Sequence, residues 1–286
     1  MATAQTPIDA DAFNRFEAAS WGERAAGYHR FWATLTTRVV ESLLDAAGVD
    51  RGTRVLDVAT GPGYVAAACA VRGAVVVGVD VAAEMVSLAR SLRPEIEFRQ
   101  ADAEQLPFAD RSFDAVLANF LVPHIGRPEH VAGELGRVLE PNGRLALSTW
   151  DVPERTRLLG VLVDAVAEVG AQPPPDIPAG PPFFRFSEDA EFRRLLGDVG
   201  LDDVVVQTIS LTHNVVSEEE LWEGLMGGTV RMRALVSAQP PDVQTQIRAA
   251  FDRLVRPYVT DDGLELPVSV KLASGRKPPG RETRRP

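Results

Sequence analysis

The chain has 286 residues, 45% apolar and 24% charged, which is the balance of a globular protein long enough to bury a full core. A net charge of −10 leaves no basic surface to meet phosphates, so nucleic acid is excluded as an expected partner. The single cysteine, Cys69, permits no intrachain disulfide, suits a reducing cytoplasm, and reads as a small core residue. No basic segment followed by an apolar run opens the chain, and no 18-residue apolar stretch occurs in it, so neither a signal peptide nor a membrane span is expected.

Residues 1–7 read as loose. From Ile8 to Ala47 the apolar positions Phe13, Phe16, Trp21, Tyr28, Phe31, Trp32, Leu35, Val39, Leu43 and Leu44 recur at helical spacing, and Gly48 is a plausible C-cap. Two or three helices are expected here, forming a cap over residues 1–48.

The most informative segment follows. Val55, Leu56 and Val58 form an apolar strand that carries Asp57 into a turn holding Gly61 and Gly63, and Tyr64–Val71 continues as a helix. A strand, a glycine turn and a helix N-terminus mount nucleotide-like cofactors. A second strand, Val75–Val79, ends in Asp80, at a distance from the turn that suits a carboxylate holding ribose hydroxyls. Gly61-x-Gly63-x-x-Ala66 also fits a relaxed dinucleotide fingerprint. Asp57 argues against that reading, because a carboxylate beside the turn repels a pyrophosphate. S-adenosylmethionine brings an ammonium and a sulfonium instead, and Asp57 suits its positive end.

Glu97–Gln100 reads as a third strand, leading to Asp102-Ala103-Glu104, where a carboxylate can accept adenine amino hydrogens and the next backbone N–H can meet a ring nitrogen. Ser112–Asn119 reads as a fourth strand. Glu134–Glu140 is a helix, Pro141-Asn142-Gly143 a turn, and Arg144–Leu147 a fifth strand. Strands alternating with helices imply a parallel sheet covered on both faces, with its site at the carboxyl ends of the strands.

In this order, VLDVATGPG, VVVGVD, ADAEQLPF, SFDAVLANF and RVLEPNGRL resemble the class I S-adenosylmethionine-dependent methyltransferases, in the branch holding ubiquinone/menaquinone-type small-molecule enzymes. The likeness covers about residues 50–150 and weakens toward 275. It implies an α/β fold: a Rossmann-like, doubly wound, mostly parallel sheet with N-terminal helices and a helical lid. It implies S-adenosylmethionine as cofactor, with Asp57, Ala59, Gly61 and Gly63 at the methionine end and Asp80 on the ribose. Val81 and Met85 would flank the adenine, Asp102 and Ala103 would read its edge, and Asn119 would line the floor. Ala59-Thr60 and Asn142 depart from the family pattern, mildly in both cases. The family also implies that the N-terminal leader closes over the site.

After Trp150, helices are expected at Val152–Val169, Glu188–Leu196, Leu221–Gly227, Val230–Ala238 and Val243–Leu254, with strands at Val204–Leu211 and Leu264–Ala273. Ser217 and Glu220 form a capping box. Residues 50–150 are therefore taken as the cofactor-binding core and 151–275 as the rest of the sheet with lid insertions. The tail 276–286, basic and rich in proline and glycine, reads as disordered. The lid holds Phe183, Phe184, Phe186, Trp222, Met226 and Met232, which suggests a hydrophobic small molecule as acceptor.

Transfer to a hydroxyl needs a base, and of four histidines His124, just beyond the fourth strand, is best placed, with His29 and Tyr28 as further catalytic candidates. Trp21, Phe184, Trp222 and Met226 are the substrate candidates. No metal-ligand spacing is present. The reading is a cytoplasmic methyltransferase acting on O, N or C of a hydrophobic molecule, in natural-product biosynthesis. A non-methylating enzyme such as a cyclase on the same fold, an NAD-dependent oxidoreductase and a non-enzymatic binding protein are the alternatives. No membrane partner is expected, and a homo-oligomer is left open.

Overall fold

A computed structural model describes residues 8–280, so segment 1–7, expected to be loose, and residues 281–286 of the basic tail lie outside the described residues. The leader is one helical rod whose winding changes along its length. Asp9 caps α1 (Ala10–Gly27) by accepting the Ala12 N–H at 3.0 Å. The rod passes through a π turn (Tyr28–Trp32), α2 (Ala33–Thr36), a 3₁₀ turn (Thr37–Val39) and α3 (Val40–Ala47). Every junction keeps right-handed helical backbone until Gly48, at φ 65°, ends it. The two or three helices expected from periodicity are thus continuous.

The core alternates as its sequence requires: β1 (Arg54–Val58), α4 (Tyr64–Val71), β2 (Val75–Asp80), α5 (Ala83–Leu92), β3 (Glu97–Gln100), β4 (Phe113–Asn119), α6 (Pro128–Val138) and β5 (Leu139–Trp150). Beyond it come α7 (Arg157–Val169), α8 (Asp189–Asp198), β6 (Asp202–Val215), α9 (Glu218–Gly228), α10 (Arg231–Ser237), α11 (Pro241–Val255), β7 (Val259–Thr260) and β8 (Gly263–Arg276). The sheet runs β3-β2-β1-β4-β5-β8-β6, with β7 paired to β8. Neighbours among β1–β5 are parallel, and β8 is antiparallel to both β5 and β6. The strand order reverses between β1 and β4, which leaves a crevice at their carboxyl ends.

Period-two alternation sorts the strand residues between two cores. Val55, Ala115, Leu117 and Ala146 pack with α3, α4 and α5, where Cys69 is fully buried. Leu56, Val116, Leu145 and Leu147 pack with α6 and α8. A third core joins α7, α9 and α11 to Trp32, Trp150 and the far ends of β6 and β8.

Several boundaries differ from the expected ones. β5 starts directly at Leu139, because Asn142 adopts φ 68° and absorbs the bend inside the strand. α7 begins at Arg157, after a turn at Val152–Thr156 in which the Arg155 and Thr156 N–H groups both meet the Val152 carbonyl. β8 runs through Arg276, and Lys277 Nζ donates to the carbonyls of Gly136 and Leu139 at 2.7 Å each, so the order extends past the expected tail boundary at 276. No helix of the described residues is long and apolar enough to cross a membrane.

Candidate active site

The glycine turn places two carboxylates side by side in the crevice. Asp57 leaves β1 fully buried, and its Oδ2 accepts the Thr60 hydroxyl at 2.6 Å and the Ala66 N–H at 3.1 Å. Its Oδ1 is buried without a hydrogen-bond partner among the described residues. Asp80 ends β2 with one oxygen accepting the Gly61 N–H at 2.9 Å and the other the Ala82 N–H at 3.0 Å. Burial pushes the Asp57 carboxyl up to about 7 and the Asp80 carboxyl up to about 6, and the Asp80 anion further disfavours that of Asp57. Among the described residues no lysine or arginine acts on either. Two desolvated carboxylates without a cation cost stability unless a ligand brings the positive charge.

The turn itself needs glycine for different reasons at its two ends. Gly61, at φ 52°, faces open space and leaves its N–H free for Asp80. Gly63, at φ 81°, caps α4, and a Cβ there would lie 2.7 Å from the Phe98 ring. Gly63 therefore serves close packing and does not line the cavity.

That cavity encloses about 950 Å³ between the strand ends, the leader and the lid. Ala59, Gly61, Asp80, Val81 and Met85 line one end, and Asp102, Ala103 and Asn119 adjoin them. Asn119 is already engaged: its amide donates to the Thr36 carbonyl at 3.2 Å and its oxygen accepts the Ser148 hydroxyl at 2.5 Å. It pins the leader across the strand ends. Among the described residues no cluster of His, Cys, Asp or Glu is placed to hold a metal.

The other end is largely apolar, with Trp21, Phe183, Phe184 and the 173–178 proline loop on its walls. Tyr28 lines it too, donating its hydroxyl to Thr36 Oγ1 at 3.2 Å. Burial pushes the Tyr28 phenol up to about 12, so it is a hydrogen-bond donor at neutral pH and not a base. His124 lines this end, its ring edge-on to Trp21 at 4.9 Å and to Phe183 at 5.6 Å.

Besides Gly63 and the fully buried Asp57, three expected site residues do not line the cavity. His29 turns to Tyr64, with Nδ1 2.6 Å from the phenol oxygen and the rings stacked. Trp222 packs on Phe251 at 5.1 Å under the Arg248 guanidinium, and Met226 packs in the same lid core. The reason lies in α9. Gly224 and Gly228 face the leader, where a Cβ would overlap the Phe31 and Trp32 rings. Residues two apart on a helix point to nearly opposite sides, which turns 222 and 226 away from the leader.

Among the polar residues of the lining that carried no expectation, Glu17 and Arg231 stand beside the aromatic wall. Glu17 is 2% exposed, and its Oε2 meets His124 Nδ1 at 3.1 Å while Oε1 has no partner among the described residues. Arg231 opens α10, donates to the Pro181 carbonyl at 2.9 Å and lies over the rings of Phe13 and Phe183. For Glu17 a signal existed: Phe13, Glu17, Ser20 and Arg24 share one helical stripe, so an acid stood in a stripe begun by a core phenylalanine. Nothing local singled out Arg231.

Comparison with known proteins agrees with this geometry. Residues 56–147 match a family described as a methyltransferase domain. A demethylmenaquinone methyltransferase of Renibacterium salmoninarum is 38% identical over 118 residues, which cover 41% of this chain and 50% of that one. The chain thus spans about half the length of the curated relatives it matches. Among solved structures, the YcgJ protein of Bacillus subtilis superposes with a TM-score of 0.58 at 22% identity, over 85% of this chain and 99% of that one. A phosphoethanolamine N-methyltransferase of Haemonchus contortus, solved with S-adenosyl-L-methionine, gives 0.51 at 18% identity over 84% and 52%. The structural likenesses carry the fold.

Proposed function

We propose that the chain, whose residues 56–147 match a methyltransferase domain family, transfers a methyl group from S-adenosylmethionine to a hydrophobic small molecule. The observation that carries the reading is the buried Asp57–Asp80 pair, which has no cation acting on it among the described residues and whose Asp80 borders a cavity large enough for cofactor and acceptor together. The residues present fit that cofactor. The partnerless Oδ1 of Asp57 suits its ammonium, Asp80 retains acceptor capacity for ribose hydroxyls, Val81 and Met85 supply apolar walls for the adenine, and Asp102 and Ala103 suit its polar edge. A pyrophosphate at the same turn would face both carboxylates, which disfavours a dinucleotide.

When bound, the cofactor supplies a methyl group on a sulfonium, an excellent leaving group. The chain supplies position and exclusion of water. Trp21, Phe183 and Phe184 hold an apolar acceptor, and the leader, pinned by Asn119, closes the cavity beside Tyr28. The apolar wall supports an acceptor of low polarity, and the richness in Ala, Val, Arg, Asp and Pro, typical of GC-rich genomes, supports secondary metabolism as its setting. The test is incubation with S-adenosylmethionine carrying a deuterated methyl group and extract of the source cells, read by mass spectrometry. A labelled apolar product is expected. Bound cofactor with no labelled product in any extract would sink the reading and favour a non-methylating enzyme.

A further inference from the structure

Three charged or titratable side chains converge on the aromatic wall of the cavity. Glu17, His124 and Arg231 come from α1, the turn after β4 and α10, elements far apart in sequence, and they meet around Phe183. None of them repairs the fold in an obvious way. Glu17 sits 2% exposed with one carboxylate oxygen unsatisfied, an arrangement that costs stability. Arg231 donates one hydrogen bond, to a backbone carbonyl, and takes part in no ion pair among the described residues; the only charge acting on it is Glu17.

The Glu17–His124 contact fixes the ring. With Glu17 as a carboxylate, which only accepts, and the ring neutral, the Nδ1 met at 3.1 Å carries the hydrogen and Nε2 keeps its lone pair. No described residue bonds Nε2, and the ring lines the cavity. An imidazole held in this tautomer by a buried carboxylate can accept a proton and keep the resulting cation next to an anion.

Resting on the methyl-transfer reading, we propose that the acceptor's reacting group is an acidic hydroxyl, phenolic or enolic, that His124 takes its proton, and that Arg231 holds the oxyanion. Glu17 is a positioning residue that acts through His124. The step balances. The hydroxyl proton passes to His124 Nε2, the oxygen lone pair forms the O–C bond to the methyl group, and the C–S bond breaks with its electron pair on sulfur. The products are a methyl ether, a neutral thioether and an imidazolium that later loses its proton to water. A group with no removable proton, such as an alkene or tertiary amine, would have no use for this arrangement.

The experiment reads ionisation without turnover. 4-Nitrophenol and a nitronaphthol are bound to the full chain with S-adenosylhomocysteine, at a pH below each free probe's own ionisation. The visible phenolate band reports the bound form. Wild type is expected to bind the probe ionised. His124→Gln should bind it protonated, Arg231→Gln should bind it weakly, and Glu17→Gln, the isosteric change, should leave an intermediate ionised fraction. Unchanged S-adenosylhomocysteine affinity in each variant shows that the fold stands. A probe that binds protonated to wild type, equal ionisation in His124→Gln, or no binding of either probe to a protein that binds S-adenosylhomocysteine overturns the proposal while the methyl-transfer reading stands. Loss of S-adenosylhomocysteine binding by wild type itself overturns both.

Discussion

Two aspartates carry the argument at the scale of single residues. Asp57→Asn removes a buried charge but keeps a shape that can still accept from Thr60 and Ala66. The apo variant should be more stable than wild type above neutral pH, by about 1–3 kcal/mol, because an unpaired buried anion is costly. Its affinity for S-adenosylmethionine should nonetheless fall about 10-fold or more, the loss of a charge-assisted contact. Denaturant titration and calorimetry check the two halves, and a variant weaker in stability yet equal in affinity would contradict both. Asp80→Asn differs, since its oxygens accept two separate backbone N–H groups and an amide can serve only one. It should lose about 1–2 kcal/mol of stability as well as affinity. Both aspartates could be singled out in the sequence because each stands at the carboxyl end of an apolar strand, Asp57 just before a glycine turn. Glu17 and Arg231 were not, because their meeting depends on how the leader and lid pack and on no local pattern.

Among the elements, the strand–turn–helix unit is the most tightly specified. Gly63→Ala combines a φ of 81° with a Cβ 2.7 Å from Phe98, whose ring also sits beneath Gly78 on β2. It should cost about 2–3 kcal/mol in chemical denaturation, with partial recovery in a Gly63→Ala/Phe98→Leu double variant. Additive losses in the pair would show that the contact is not the cause. β1 to β5 could be read in advance because apolar runs bounded by Gly, Asp and Pro have few alternatives. The leader could not be read as one rod, since periodicity is blind to the π turn that sets Tyr28 and Trp32 against the cavity and lets the Trp32 indole reach the Gly224 carbonyl at 3.1 Å. Trp222 and Met226 failed as substrate residues for a related reason. Composition marks a helix as apolar, but the glycines opposite decide which side faces the cavity.

For the whole molecule, the buried carboxyl pair links stability to pH. Both groups are raised above 3.8, so the folded chain retains protons that the unfolded chain has released. The stability they contribute is present in full below about pH 4 and is lost as pH rises to about 7, by an amount on the order of a few kcal/mol. A cationic ligand that favours the ionised pair should offset the loss. The Tm shift caused by S-adenosylmethionine is therefore expected to grow between about pH 5 and pH 7.5, and to be nearly flat in Asp57→Asn. A shift independent of pH in wild type would remove the linkage.

The central claim is that the glycine turn and its two carboxylates are built for a positively charged cofactor. Calorimetric titration of S-adenosylmethionine near pH 6.5, in buffers of different ionisation enthalpy, counts the protons exchanged on binding. The account predicts net proton release, largely abolished in Asp57→Asn, and no competition from NAD. Binding without proton release, or displacement of S-adenosylmethionine by NAD, would contradict it.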